Sequence, residues 1–219
     1  MQDFNKINRE TYDNISSDWN EKRKYNWTPV VNFLDSFENK EKLKLLDLGC
    51  GTGRHLELAE KLGFTNENLI GCDFSSGQLE IVKKKGFKTK QCDFENLDFK
   101  TCEFDIIICI AAHHHLLEKE KQLESFVEMK RILKQEGKIL LCNWFPENFF
   151  IETQIKKKKF EFIDNEKKKV KVTYTYENKK YDRYYYLFEK EELETLCKKA
   201  GFKVINIEIF NGNIYLELE

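Results

Sequence analysis

Residues 43–54 read Leu-Lys-Leu-Leu-Asp-Leu-Gly-Cys-Gly-Thr-Gly-Arg, an apolar strand running straight into a glycine-rich turn and then a helix. No other stretch constrains the fold as strongly. Gly49, Gly51 and Gly53 remove side chains where the backbone turns sharply and nears a ligand, and the turn leaves free amides at the start of the next helix. That geometry points to a nucleotide-like cofactor, with a plain strand-to-helix turn as the alternative. The spacing is G-x-G-x-G, without the glycine that a G-x-G-x-x-G dinucleotide fingerprint requires, and Asp47 stands just before the first glycine. A carboxylate there repels phosphates. It suits a cofactor carrying an ammonium and a sulfonium, the charges of S-adenosylmethionine.

The following strands place further acids at the same edge. Asn68–Asp73 reads as a second strand whose Asp73 lies 20 residues past Gly53, the distance at which α/β nucleotide sites hold a ribose. Ser75 is the better N-cap for the helix after it. A third strand over 87–92 ends in Asp93 and Phe94, an acid for an adenine amine and an apolar neighbour for its ring; a simple turn role for Asp93 stays open. The fourth strand, Phe104–Ala111, is continuously apolar, as strands buried on both faces of a parallel sheet are. It opens into His113-His114-His115, where at least one imidazole is expected to face the cleft and metal ligation is a minor alternative. Phe74, Ile110 and Tyr12 complete the candidate cofactor set.

The amphipathic helix 118–134 is expected to bury Leu123, Phe126, Val127, Ile132 and Leu133, with Gly137 turning into a fifth strand that ends at Trp144. Trp144 reads as core or as a wall of an acceptor pocket. Two helices over 3–38 precede the glycine turn, joined by a linker holding Arg23 that either closes over a cofactor or merely covers packed helices. A helix over 190–200 and a hairpin around Asn211-Gly212 end the chain.

Residues 145–188 break the alternation. From Phe149 to Tyr186 there are 11 Lys plus Arg against 6 Asp plus Glu, while the whole chain carries −1. Lys156, Lys157, Lys158, Lys159, Lys167, Lys168 and Lys169 interleave with aromatics. They read as a solvated face or as a nucleic-acid contact, in which Arg183, Tyr184 and Tyr185 would also take part.

The 219 residues therefore imply one α/β domain: a Rossmann-like, seven-stranded, mostly parallel sheet with a C-terminal antiparallel hairpin strand and an insertion after the fifth strand. Its parts are N-terminal helices (1–38), a cofactor-binding core (43–144), a basic aromatic insertion (145–188) and a C-terminal helix and hairpin (189–219). Seven cysteines, odd in number and without a C-x-x-C pair, are expected as buried free thiols with no metal site. No apolar run approaches ~18 residues and the N-terminus lacks a hydrophobic leader, so the expectation is a cytoplasmic protein, with the nucleus as a second location and no membrane partner.

Over almost its whole length this pattern resembles the class I S-adenosylmethionine-dependent methyltransferases. More narrowly, it is similar to the tRNA methyltransferases that esterify 5-carboxymethyluridine at the wobble position. The matching segments are Asp47–Gly53, Gly71–Asp73, Cys92-Asp93, Ile110–Leu116, Arg183–Phe188 and Arg23-x-x-x-Trp27-x-Pro29. His113, Tyr186 and Gln135-Glu136-Gly137 depart from that family. The resemblance implies that Arg23, His114, His115 and Arg183, with Trp144, orient an acceptor carboxylate and nearby phosphate, while Asp73 and Asp93 hold ribose and adenine. It also implies tRNA as substrate and a small zinc-binding activator subunit at the sheet edge near the third strand. A small-molecule carboxyl, N- or O-methyltransferase, or a non-catalytic binding protein of the same fold, are the alternatives.

Overall fold

A computed structural model describes residues 3–23, 25–147, 149–157 and 159–219. The chain opens with α1 (Phe4–Lys22), whose N-cap Asp3 accepts the Lys6 N–H, and α2 (Thr28–Asp35), which carries Pro29 in its first turn. The central run is β1 (Leu45–Leu48), α3 (Arg54–Lys61), β2 (Leu69–Asp73), α4 (Ser76–Lys84), β3 (Lys88–Gln91), β4 (Phe104–Ile110), α5 (Lys119–Ile132) and β5 (Leu133–Trp144). Then come α6 (Phe149–Lys156), β6 (Phe160–Phe162), β7 (Lys169–Tyr176), β8 (Lys179–Tyr186), α7 (Lys190–Lys199), β9 (Val204–Phe210) and β10 (Asn213–Leu218).

Seven strands form one sheet in the order β3-β2-β1-β4-β5-β10-β9, and β6-β7-β8 form a second, antiparallel sheet. β1 through β5 pair in parallel, whereas β10 runs antiparallel to both neighbours. The mixed seven-stranded sheet is thus the one the strand pattern implies. Alternate residues of the central strands feed two apolar cores, one per face: Ile107, Cys109, Ile139 and Leu141 on one side, Ile106, Ile108, Leu140 and Cys142 on the other. A third core, with Phe160, Val170, Val172 and Tyr185, holds the insertion together.

Several local expectations are corrected. Gly137 does not begin a strand. β5 runs from Leu133 through it with a bulge opposite Phe104–Ile106, and a Cβ on Gly137 would strike the Leu133 side chain. Val127 points outward, 49% exposed, and Met129 takes the core position expected of it. Cys72 and Cys92 lie side by side, because parallel pairing of β2 with β3 brings the strand ends together, Cα atoms 6.2 Å apart. Cys50, Cys102, Cys109, Cys142 and Cys197 are free.

Candidate active site

The parallel strands end along one edge, and a cavity of about 270 Å³ opens there. The glycine turn forms its floor. Gly49, Gly51 and Gly53 have φ of 74°, 55° and 81°, and a Cβ on Gly49 would overlap that of Ala112. The amides expected to be free are mostly used within the protein. Gly49 and Cys50 N–H donate to the Cys72 carbonyl at 2.7 and 3.0 Å, and Gly51 N–H donates to Asp73 Oδ2 at 2.9 Å. Internal bonds therefore fix the turn before any ligand arrives.

Asp73 ends β2 at the cavity wall, and its Oδ1 accepts the Ser75 N–H at 2.9 Å. Burial pushes its pKa up to about 6 against the lowering effect of these two N–H bonds. Asp47 lies beneath the turn, fully buried, with neither oxygen hydrogen-bonded and the imidazole of His55 3.8 Å away; burial pushes its pKa up to about 8. Phe74, Phe94, Ile110 and Tyr12 all line the cavity. Asp93 does not. Arg9 of α1 takes its Oδ1 at 2.7 Å, leaving a half-exposed ion pair where sequence reasoning placed an adenine ligand.

At the other end β4 opens into a single tight turn carrying all three histidines. All three are buried, and His114 and His115 line the cavity, which meets the expectation that at least one imidazole faces the cleft. The turn fans the rings apart. His113 goes into the core against Phe126 and Phe188 and bonds Ser125 at 2.8 Å. His114 Nδ1 accepts the Trp144 N–H at 3.1 Å, and His115 Nε2 meets the Tyr12 hydroxyl at 3.0 Å. Burial depresses the pKa of His113 and His115 to about 3 and that of His114 well below its usual value, so all three are neutral. Trp144 lines the cavity and stacks on Tyr185, 4.3 Å between centroids, and on Phe160.

Of the arginines expected here, Arg23 lies over Trp19 at the cavity wall, but Arg183 stands behind it. Arg183 is 6% exposed and stacks on Trp19, Tyr174 and Tyr185. β8 packs on both faces, so its Arg and Tyr run is internal. Tyr184 is buried for the same reason and lies away from the cavity, whereas Tyr185, also buried, lines it. In the insertion, Lys156, Lys157, Lys159 and Lys167 are exposed, and Lys158 lies outside the described residues. Lys168 bonds Glu192 at 2.7 Å and Lys169 is half-buried in β7, so those two are structural.

Sequence reasoning missed Arg54, Trp19, Gln78, Asn211 and Asn213, all of which line the cavity. Arg54 had a signal, its place directly after the third glycine. Its guanidinium stacks on Trp27 and donates to the Tyr25 carbonyl, and burial together with the Arg23 charge lowers its pKa. The asparagines had none, because only long-range strand pairing brings them here.

Residues 46–141 match the protein family described as a methyltransferase domain. Among solved structures, the fold matches an S-adenosylmethionine-dependent methyltransferase from Clostridium acetobutylicum with a TM-score of 0.71, 16% identity and coverage of 95% and 98% of the two chains. The chain has the class I S-adenosylmethionine-dependent methyltransferase fold. Another structural neighbour is the provisionally named methyltransferase solved with the Haloferax volcanii Trm112 methyltransferase activator, with a TM-score of 0.73, 14% identity and 96% coverage of each chain. By sequence, this methyltransferase-fold chain is 28% identical, over 95% of its own length and 92% of the other's, to an Encephalitozoon cuniculi protein provisionally named a methyltransferase. It is 29% identical to the Xenopus tropicalis tRNA (carboxymethyluridine(34)-5-O)-methyltransferase alkbh8 and 32% identical to the Arabidopsis thaliana protein of that activity. Those alignments span 69% and 62% of this chain but only 22% and 32% of the relatives.

The class I cofactor, S-adenosylmethionine, fits what lines this site. The carboxamide oxygen of Gln78, on the cavity wall, is buried without a partner, and Asp47 lies beneath the adjoining glycine turn with both oxygens unpartnered. Asp73 presents a carboxylate for ribose hydroxyls.

Proposed function

We propose that the chain methylates a carboxylate: that it is an S-adenosylmethionine-dependent tRNA methyltransferase forming the methyl ester of 5-carboxymethyluridine at the wobble position. One observation carries the acceptor class. Among the described residues lining the cavity Asp73 is the only acid and sits at the cofactor end, whereas Arg23 and Arg54 line it together with three neutral histidines, His55, His114 and His115. Such a wall attracts an anion and offers no carboxylate base.

S-adenosylmethionine supplies a methyl group on a sulfonium. The protein's part is binding and orientation. Asp73 anchors the ribose, with Asp47 buried beneath the glycine turn at the same end, so that the methyl faces the histidine turn. Arg23 and Arg54 hold the acceptor carboxylate, an ion at neutral pH with a pKa near ~4.3, so no proton has to be removed before its oxygen attacks. His114 and His115, fixed by Trp144 and Tyr12, wall the pocket and exclude water as neutral donors or acceptors. Arg183 acts through the rings it stacks on and positions Tyr185 and Trp19.

The names of the relatives support tRNA as the acceptor, and Lys156, Lys157, Lys159 and Lys167 offer exposed charge for its backbone. An activator subunit would pair with β3, an edge strand. That edge is polar, carrying Lys88 and Lys90, so pairing there would rest on backbone hydrogen bonds. We place the protein in the cytosol. The internal roles of Lys168 and Tyr184 favour one other reading, a small carboxylate acceptor with no extended RNA contact.

The test is methyl transfer from labelled cofactor to tRNA carrying 5-carboxymethyluridine, with the activator co-expressed and nucleosides resolved by mass. A methyl ester at the wobble nucleoside supports the proposal; transfer only to small carboxylates, or none, refutes it.

A further inference from the structure

Asn213 opens β10 directly opposite Trp144, so the two side chains share a face of the sheet. Its residue is 9% exposed, lines the cavity, and donates through Nδ2 to the Asn211 carbonyl at 3.3 Å. Its Oδ1 is buried and accepts nothing. Buried acceptors without donors are uncommon because they lose water without replacement.

The strand order says which ligand could supply the donor. Asp73 ends β2, the glycine turn follows β1, the histidines follow β4, Trp144 ends β5 and Asn213 begins β10, so these groups run along one edge in that sequence. The unpartnered groups Asp47 and Gln78 fall at the cofactor end, whereas Asn213 lies beyond the histidines, where the acceptor must sit. An acceptor oxygen there calls for an N–H or O–H on the substrate.

We propose that Asn213 reads the Watson–Crick edge of the acceptor nucleobase, its Oδ1 accepting the imino N3–H of a uracil. Uracil offers one ring N–H, and its C5 substituent lies on a different side of the ring. The carboxymethyl arm can therefore point at His114 and the arginines while N3–H meets the adjoining wall. Cytosine, with a bare N3 acceptor, would face the oxygen with like polarity and be rejected. This rests on the proposed acceptor.

The test uses a short anticodon stem-loop RNA with 5-carboxymethyluridine, the same RNA methylated at N3, and the same RNA with 2′-deoxyribose at that nucleotide. Transfer is measured as kcat/KM, and binding by tryptophan fluorescence with S-adenosylhomocysteine present. The wild type should favour the N3–H substrate over the N3-methyl one by about tenfold or more. Asn213→Ala should cut that preference to below about twofold with cofactor affinity unchanged, whereas Asn213→Asp, which keeps an acceptor oxygen, should retain it. No wild-type preference, a preference that follows the 2′-hydroxyl, or loss of cofactor affinity in Asn213→Ala would each overturn the inference. If the wild type binds with the N3–H preference but forms no ester, the esterification reading fails while Asn213 keeps its role. Failure to bind any of the RNAs overturns both.

Discussion

Replacing Asp73 by Asn separates what the carboxylate costs the fold from what it gives the site. Asp73 is 7% exposed, and burial raises its pKa from 3.8 to about 6. The native state then holds this proton more tightly than the unfolded chain does. Stability falls as pH rises through the interval from about 4 to 6, and the full penalty is present above it. A shift of about two units, at ~1.36 kcal/mol each, amounts to roughly 3 kcal/mol at neutral pH. Asn cannot ionise and escapes this penalty. It can accept only one of the N–H bonds from Gly51 and Ser75 through its oxygen, a pH-independent cost of about 1–3 kcal/mol. Urea unfolding at intervals from pH 4 to 8 should show the variant gaining on the wild type by about 3 kcal/mol across that range, whatever its offset. The difference isolates Asp73 from carboxylates such as Glu128, whose pKa its Arg131 partner lowers and whose contribution has the opposite slope. Cofactor affinity should drop at least about tenfold, since a charged acceptor of two ribose hydroxyls is gone. Parallel pH–stability curves for the two proteins would refute the reasoning.

Other substitutions test other walls of the site. Gly49→Ala, which combines a left-handed φ with overlap on Ala112, should cost about 2–5 kcal/mol in urea unfolding, against about 1–2 for Gly51→Ala, which meets only the tip of Gln78. Arg183→Ala should lower methyl transfer to tRNA at least about tenfold, and Arg183→Lys should not restore it, because a compact ammonium cannot replace a planar guanidinium among three rings. Full activity in Arg183→Ala would end its positioning role. Joint replacement of Lys156, Lys157 and Lys159 by Ala should reduce the slope of log affinity for tRNA against log salt by about 2, whereas Lys168→Ala, which loses a Glu192 ion pair, should change stability and leave the slope intact. A salt-insensitive wild type would favour the small-acceptor reading.

The glycine turn, Asp73 and the histidine turn were legible because each is fixed by local chain: a strand end, a left-handed glycine, a spacing of 20 residues. The faces of the insertion were not. Arg183, Tyr184 and Tyr185 look like an exposed basic aromatic strip in sequence, but β8 is covered on one side by α1, where Asn8 bonds both the N–H and the carbonyl of Tyr184. Asp93 was misassigned for the same reason, since Arg9 reaches it from 84 residues away. Asn213 was invisible because its neighbours are set by pairing between β10 and β5. Contacts made by α1 and by antiparallel pairing leave no periodic trace.

The central claim is a carboxylate acceptor alkylated without a general base, and the most direct measurement is its pH–rate profile. Single-turnover transfer to RNA carrying 5-carboxymethyluridine, at saturating cofactor, should give methyl ester at a rate that is level from pH 6.5 to 8.5. The acceptor is ionised throughout, and His114 and His115 stay neutral. A rate that climbs through this range, or a product methylated at nitrogen or a hydroxyl, would contradict the account.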